Sequence, residues 1–355
     1  DIVTILYITF IDFGEFKSGS SVRPQKMYDA FRQLGHEVKL LEGQQNRRAE
    51  RKQKTAEILS WLDSHTPDIC YVEPPAGPFF NAIDLKLLKK VHGMGVPIAL
   101  FYRDAYWKFA KWWGVKGPKK WLLTYMHKRD LKVFAKTCDI IYFPSPSMAD
   151  LFDFRRREIL PPAGEYHGDH TRKIQHRVVY VGGVTPRYGT QQLLEAINLL
   201  HKRGMDIKLS LVCRSEEMQN LKAQDLQKKW ITVFHASGDE QLASIYAGAD
   251  VGLIPLQRDF YMDFAICVKM FEYMGYGLPV ISTDCVETKR MIDRYECGLT
   301  CKDDPQSLAD AIARFYSDPG KIEEYRNNVK KAMSENQWRN RAQKVVEDLS
   351  ALKKK

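Results

Sequence analysis

The chain contains no run of apolar residues close to the roughly 20 needed to span a bilayer. Its opening residues, DIVTILYITF, lack the basic flank and small-residue cleavage site of a secretory leader, so a cytoplasmic protein is expected. It also lacks cysteine pairs. Its seven cysteines are an odd number scattered without a CxxC, and Cys297 and Cys301 have no His or Cys cluster around them to complete a zinc site. All seven are therefore expected to be reduced and mostly buried. The nine histidines form neither HxH nor HExxH, and no DxD or carboxylate cluster marks a metal site, so neither metal nor cofactor is expected. GxGxxG and GK[ST] are missing as well, which argues against NAD and against ATP hydrolysis. Nothing repeats at solenoid spacing. What is abundant is core material: 44% hydrophobic and 12% aromatic content over 355 residues excludes a disordered chain and suits two domains.

Strand and helix signals alternate from end to end, the pattern of parallel sheets covered by helices on both faces. Strands are expected at 2–10, 37–41, 69–73, 97–102 and 140–143, with helices at 24–34, 57–64 and 83–92 and a long basic helix from Pro118. Residues 159–176, ILPPAGEYHGDHTRKIQH, are polar, rich in Pro and Gly, and without an apolar period; they read as a linker. The alternation restarts at 178–181 and continues through strands at 207–213, 231–235, 251–255 and 279–282. Two doubly wound domains follow, 1–165 and 176–336. A last helix containing Trp338 covers 337–355.

The most informative stretch is 269–283, KMFEYMGYGLPVIST. Glu272 is an acid surrounded by Met270, Phe271, Tyr273, Met274 and Tyr276. Gly275 and Gly277 end the helix, and a short buried strand follows. A carboxylate placed there faces a crevice at the C-terminal side of a parallel sheet, where open α/β folds bind ligands. These residues resemble the nucleotide-sugar site of retaining GT-B glycosyltransferases of family 4, the glycosyl transferases group 1. The resemblance implies two Rossmann-like domains facing a cleft, with the C-terminal helix crossing back to the N-terminal domain. It implies that Glu272 holds the ribose hydroxyls of a nucleotide-sugar donor, a role suited to a carboxylate with two acceptor oxygens.

The resemblance extends to VVYVGGVTPRYGTQQLLEAI, where the family supplies two cations to the diphosphate. This chain departs from it: Gly183 stands in place of the arginine and Tyr188 in place of the lysine. Arg187, Arg214 and Lys269 are the replacement candidates, since expelling a nucleoside diphosphate without metal needs positive charge on the leaving group. A second departure is Phe264, where many family members carry a glutamate near the transferred sugar. Asp263 beside it, or nearby Asp259, is the candidate for the sugar hydroxyls, and Ala265 and Ile266 lead into a helix N-terminus whose amides suit an anion. Ser18 and Gly19 enter the first helix in a loop that the family points at the diphosphate. Asp104, after the strand at 97–102, is the candidate to orient or deprotonate an acceptor hydroxyl, and Glu73 is a further candidate. Both also suit plain capping or pairing.

Net charge is +10 and is unevenly placed. Between Arg103 and Lys136 lie ten Lys and Arg against two Asp, interleaved with four of the seven tryptophans, Trp107, Trp112, Trp113 and Trp121. Such a mixture suits a helix lying on an anionic membrane, with Trp112, Trp113 and Trp121 at headgroup depth. Nucleic acid would use the same residues but is not the expected partner, and aromatic core beneath a solvated lysine face is the plain alternative.

The expectation is a metal-independent retaining glycosyltransferase. It would move a sugar, by family habit from a UDP-sugar, to a glycan or lipid-linked acceptor in surface polysaccharide synthesis, peripheral on the inner face of the plasma membrane. Two alternatives stay open: a non-hydrolysing nucleotide-sugar epimerase, and an inactive lipid- or RNA-binding scaffold.

Overall fold

Short, mostly apolar strands set the architecture. The structure, a computed structural model, describes residues 1–14, 19–103, 105–109, 113–168 and 172–353, in two units. The first unit is Asp1–Pro161 with Trp338–Lys355. Its strands are β1 (Thr4–Ile8), β2 (Glu37–Leu41), β3 (Ile69–Val72), β4 (Ile98–Phe101), β5 (Ile140–Phe143) and β6 (Arg157–Ile159). β3, β4 and β5 are buried along their whole length, so each needs cover on both faces, which is the requirement of a parallel sheet with helices above and below. All pairings are parallel, in the order β2-β1-β3-β4-β5-β6. The C-terminal helix Trp338–Leu352 packs on the first helix, Gly19–Gln33, within this unit. Tyr142 on β5 ties it down by donating to Asp348 at 2.7 Å.

The helix expected at 57–64 is longer in the structure, Arg48–Leu62. Its buried face is Arg51, Thr55, Ile58 and Leu62, spaced like one side of a helix, but half of that face is polar and gives no apolar period. The Arg51 guanidinium is fully buried. It pairs with Asp84 at 3.1 Å and donates to the carbonyls of Thr9 (2.6 Å) and Gly43 (3.0 Å), joining the loops after β1 and β2 to the helix Ala82–Gly93. Burial pushes the Asp84 carboxyl up and the Arg51 guanidinium down, and their mutual attraction opposes both shifts.

The second unit, Pro162–Gln337, holds β7 (Arg177–Val181), β8 (Lys208–Val212), β9 (Ile231–Phe234), β10 (Val251–Ile254), β11 (Val280–Thr283) and β12 (Gly298–Cys301). They pair in parallel in the order β12-β11-β10-β7-β8-β9. Alternate residues of β7 enter opposite cores: Val178 and Tyr180 pack with the helices Thr190–Lys202 and Pro305–Tyr316, whereas Val179 and Val181 pack with Val268–Gly275 and Pro319–Met333. The helices start where the sequence offers acid caps. Asp304, followed by Pro305, accepts from the Ser307 amide at 2.8 Å, and Asp318, followed by Pro319, accepts from that of Lys321 at 3.2 Å. The segment read as a linker divides at Pro161, and residues from Pro162 onward belong to the second unit. The Gly164 amide donates to the Asn336 carbonyl at 3.1 Å and the His167 amide to that of Gly275 at 2.9 Å. Gly164 is required there, because a Cβ would fall 2.5 Å from the Phe271 carbonyl oxygen.

Candidate functional site

The order of the second sheet reverses between β7 and β10: β8 and β9 add on one side, β11 and β12 on the other. The helices that follow β7 and β10 therefore cover opposite faces of the sheet, and the C-terminal ends of these two strands form the switch point at which doubly wound folds bind ligands. A tyrosine from the glutamate helix holds this point. β7 and β10 pair only through Val178↔Val251 and Val179↔Gly252. Beyond that the Tyr273 hydroxyl stands in for the ladder, accepting from the Val181 amide at 3.1 Å and donating to the Leu253 carbonyl at 3.0 Å. Gly252 makes room for it, since a Cβ there would lie 2.3 Å from the Tyr273 ring.

Glu272, next to Tyr273, lies one turn into the helix Val268–Gly275, whose N-terminus is at the C-terminal edge of the sheet. Its Oε2 accepts from Lys269 Nζ at 2.5 Å, with both side chains partly exposed. The pair is thus preformed at the mouth of the site, and a carboxylate still has lone pairs to offer a ligand. The Tyr246 phenol is buried against Glu272; burial first, and then the Glu272 charge, push its pKa far up, so it stays protonated. Ahead of this helix Ala265 is extended and half-buried, Ile266 is buried, and Cys267 occupies the cap position without a side-chain cap bond. The helix N-terminus is thus capped only by Cys267 itself, whose carbonyl accepts from the Met270 amide at 3.2 Å, and the positive end of the helix dipole suits an anion.

Arg187 follows β7 in the turn Pro186–Tyr188. It reaches the loop after β10, with Nε 3.4 Å from Asp259 Oδ2 and its guanidinium 5.3 Å from the centre of the Tyr261 ring. Gly189, at φ +70°, brings the two loops together: a Cβ there would sit 1.7 Å from the Pro255 carbonyl oxygen. Asp259 also caps the helix Phe260–Phe264, accepting from Met262 at 2.7 Å. Asp263 is held by both of its oxygens, each 3.1 Å from Arg258, and Arg258 extends to Asp284 at 3.5 Å. Phe264, in place of the family's glutamate, is core. Arg214 is exposed at the end of β8. The structure thus pairs Arg187 with Asp259, Asp263 with Arg258, and Lys269 with Glu272, while Arg214 stands on a separate strand end. Sequence reasoning missed Arg258, Tyr246 and Tyr273. Only the adjacency of Arg258 to Asp259 hinted at the first, and nothing in the pattern signalled a cross-strand phenol.

In the first unit, Ser18, Asp104 and Trp112 lie outside the described residues, and Gly19 opens the helix Gly19–Gln33. Glu73 takes the paired-acid role rather than a ligand-facing one: it is buried, 3.1 Å from Arg23, and accepts from Tyr71 at 2.7 Å. The tryptophans expected at a membrane divide. Trp113 is half-buried edge-on to His127, whereas Trp121 is 72% exposed and stacks on the exposed Tyr125.

Residues 175–318 match the family described as glycosyl transferases group 1. No curated protein sequence matches the chain. Among solved structures, sucrose-phosphate synthase from Thermosynechococcus elongatus superposes with a TM-score of 0.69 at 15% identity, covering 99% of each chain. A glycosyltransferase from Rickettsia africae gives 0.68 at 13%, over 100% of this chain and 99% of that one. The Anabaena protein HepE, solved with UDP and glucose, gives 0.67 at 12%, over 98% and 100%. At such identities the likeness is one of fold, and the fold is GT-B. The second unit carries a group 1 glycosyltransferase domain, as the residues around Glu272 suggested.

Proposed function

We propose that the protein is a retaining glycosyltransferase that moves a sugar from a UDP-sugar to a hydroxyl of a glycan or lipid-linked acceptor in surface polysaccharide synthesis. One observation carries this reading: a partly exposed carboxylate, Glu272, beside Lys269 in the first turns of a helix, at the switch point of a sheet in the group 1 domain. Glu272 accepts the ribose hydroxyls. Lys269, Arg187 and the amides around Val268 face the diphosphate, with Arg214 at the outer end, and their charge stabilises the leaving group without a metal. The bond between the anomeric carbon and the phosphate oxygen breaks as the acceptor oxygen bonds on the same face, and the acceptor proton passes to the departing phosphate. Asp263, fixed by Arg258, orients a sugar hydroxyl, and Asp104 assists the acceptor.

A thermal-shift panel of UDP, GDP and ADP tests the donor class, because a ligand that binds only the native state raises its melting temperature. UDP should raise it in wild type, equally with EDTA present, and fail to do so in Glu272→Ala at the same concentration. Losing a charged hydrogen bond of about 1.5–3 kcal/mol weakens binding roughly 10- to 150-fold. A shift that survives the substitution, or none in wild type, would sink the reading.

The same proposal includes docking on an anionic membrane through the helix Pro118–Thr137. Trp121, Leu122 and Tyr125 are exposed on it, with exposed Lys119, Lys128 and Lys132 alongside. Near an anionic surface each lysine contributes about 1 kcal/mol. Sedimentation with anionic liposomes should be lost in Trp121→Ser/Tyr125→Ser and unaffected by competing oligonucleotide. Unchanged sedimentation of the double variant would remove this part.

A further inference from the structure

Tyr246 lies in the last turn of the helix Asp239–Ala247, and the donor chemistry above makes no use of it. Its side chain is fully buried, edge-on to the Tyr273 ring at 5.8 Å and 78°, and its ring centre is 4.6 Å from that of Tyr276. Its backbone is held as well: the carbonyl accepts from Arg172 at 3.0 Å, and the same guanidinium donates to the Tyr276 carbonyl at the end of the glutamate helix. The hydroxyl stands against the Glu272 carboxylate. Although it is cut off from solvent, it makes no well-formed hydrogen bond. The firm partner of the carboxylate in this structure is Lys269 instead, 2.5 Å from Oε2. Buried donors without a partner are rare in native proteins, and one placed against the acid that carries the donor site calls for a physical account.

We propose that Tyr246 is a positioning residue for Glu272, its hydroxyl taking over as the anchor of the carboxylate when Lys269 turns to the diphosphate of the donor. The inference rests on the glycosyltransferase reading and adds an exchange of partners to it. Lys269 is partly exposed and carries its charge on a flexible four-carbon stem, so it can leave Glu272 for a more highly charged anion. A carboxylate released in this way loses its fixed orientation just when two ribose hydroxyls need it. A phenol held by packing on its ring and by a hydrogen bond on its backbone restores that orientation at little entropic cost. The chemistry of the group fits the task. Burial first, and then the Glu272 charge, keep the phenol protonated, so it is a neutral donor aimed at an anion. An ionised carboxylate has about four lone-pair sites, enough for one phenol and two ribose hydroxyls together.

The test combines calorimetric titration with UDP and thermal unfolding without it, on wild type and Tyr246→Phe. Because the hydroxyl has no well-formed bond to lose, the variant should melt at or above the wild-type temperature in the absence of nucleotide. It should nevertheless bind UDP about tenfold more weakly, the lower end of what a hydrogen bond to a charged acceptor contributes. A hydroxyl with a purely structural role gives the reverse pattern, a lower melting temperature with UDP affinity unchanged, and that result overturns the proposal. Two backgrounds check the exchange itself. In Lys269→Met the competing partner is gone, so Tyr246→Phe should lower the melting temperature there although it does not in wild type; no such difference counts against the exchange. In Glu272→Ala, adding Tyr246→Phe should leave the residual UDP affinity unchanged, and a further loss would show that the hydroxyl does not act through the acid. UDP binding to Tyr246→Phe at wild-type affinity refutes this proposal alone, whereas no UDP response in wild type refutes the donor reading and this proposal with it.

Discussion

His127 and Asp130 titrate against each other, and that opposition gives a quantitative check on the packing around them. Burial lowers His127 from 6.5 to about 4 and raises Asp130 from 3.8 to about 6. For the histidine, the unfolded chain holds the extra proton between those limits, so stability is fully present above pH 6.5 and is lost as pH falls towards 4. For the aspartate the folded chain holds it, so stability is fully present below pH 3.8 and is lost as pH rises through 6. At about 1.4 kcal/mol per pH unit, each contribution amounts to ~3 kcal/mol across its window, with opposite signs. In wild type they nearly cancel. His127→Phe removes the first and should lose ~3 kcal/mol relative to wild type between pH 4 and 6.5, while Asp130→Asn removes the second and should gain a similar amount between pH 4 and 6. Urea unfolding followed by tryptophan emission is a suitable assay, because six of the seven tryptophans lie in the first unit and report on it selectively. Differences between variant and wild type cancel the remaining carboxylates. Variant curves that run parallel to wild type from pH 4 to 6.5 would refute the argument, since they would mean that both groups are solvated well enough to titrate normally.

Two further predictions concern the scaffold beneath the site. Tyr273→Phe strands the Val181 amide and the Leu253 carbonyl and should cost about 2–6 kcal/mol, from roughly 1–3 kcal/mol per orphaned group. Gly252→Ala should cost about 1–3 kcal/mol by overpacking the same ring, but far less in a Tyr273→Ala background, so strict additivity in a double-mutant cycle would refute the contact. In the first unit, Asp84→Ala leaves the Arg51 guanidinium buried and should cost about 3–5 kcal/mol. The Arg51→Met/Asp84→Leu pair should recover most of that loss in the same urea assay, and a double variant no more stable than the single would count against it.

The strands were legible because parallel strands need apolar cover on both faces and so read as unbroken runs; the one expected at 140–143 has the same bounds in the structure. Glu272 was legible for the opposite reason, as an acid in a helix otherwise committed to the core. What stayed hidden depends on partners distant in sequence. Arg51 helps bury the helix Arg48–Leu62 through Asp84, and a buried arginine gives the same letter as a solvated one. The Tyr273 hydroxyl replaces a ladder bond between two strands that the sequence cannot place side by side.

The basic aromatic segment shows the limit most clearly, because composition pointed in one direction while helical phase divides it in two. Within Pro118–Thr137, residues 127, 130, 134 and 137 face inward, and His127 meets Trp107 and Trp113, so those rings belong to the packing of the first unit. Residues 121, 125, 128 and 132 fall on the opposite side and are exposed, so Trp121 and Tyr125 share their face with Lys128 and Lys132. Counting charges and tryptophans over 103–136 merged these two faces into one amphipathic surface. Separated by phase, the same stretch supplies a candidate membrane face and a share of the first unit's core. The variants at Trp121/Tyr125 and at His127 should therefore act independently: liposome binding should respond only to the first, and the pH dependence of unfolding only to the second.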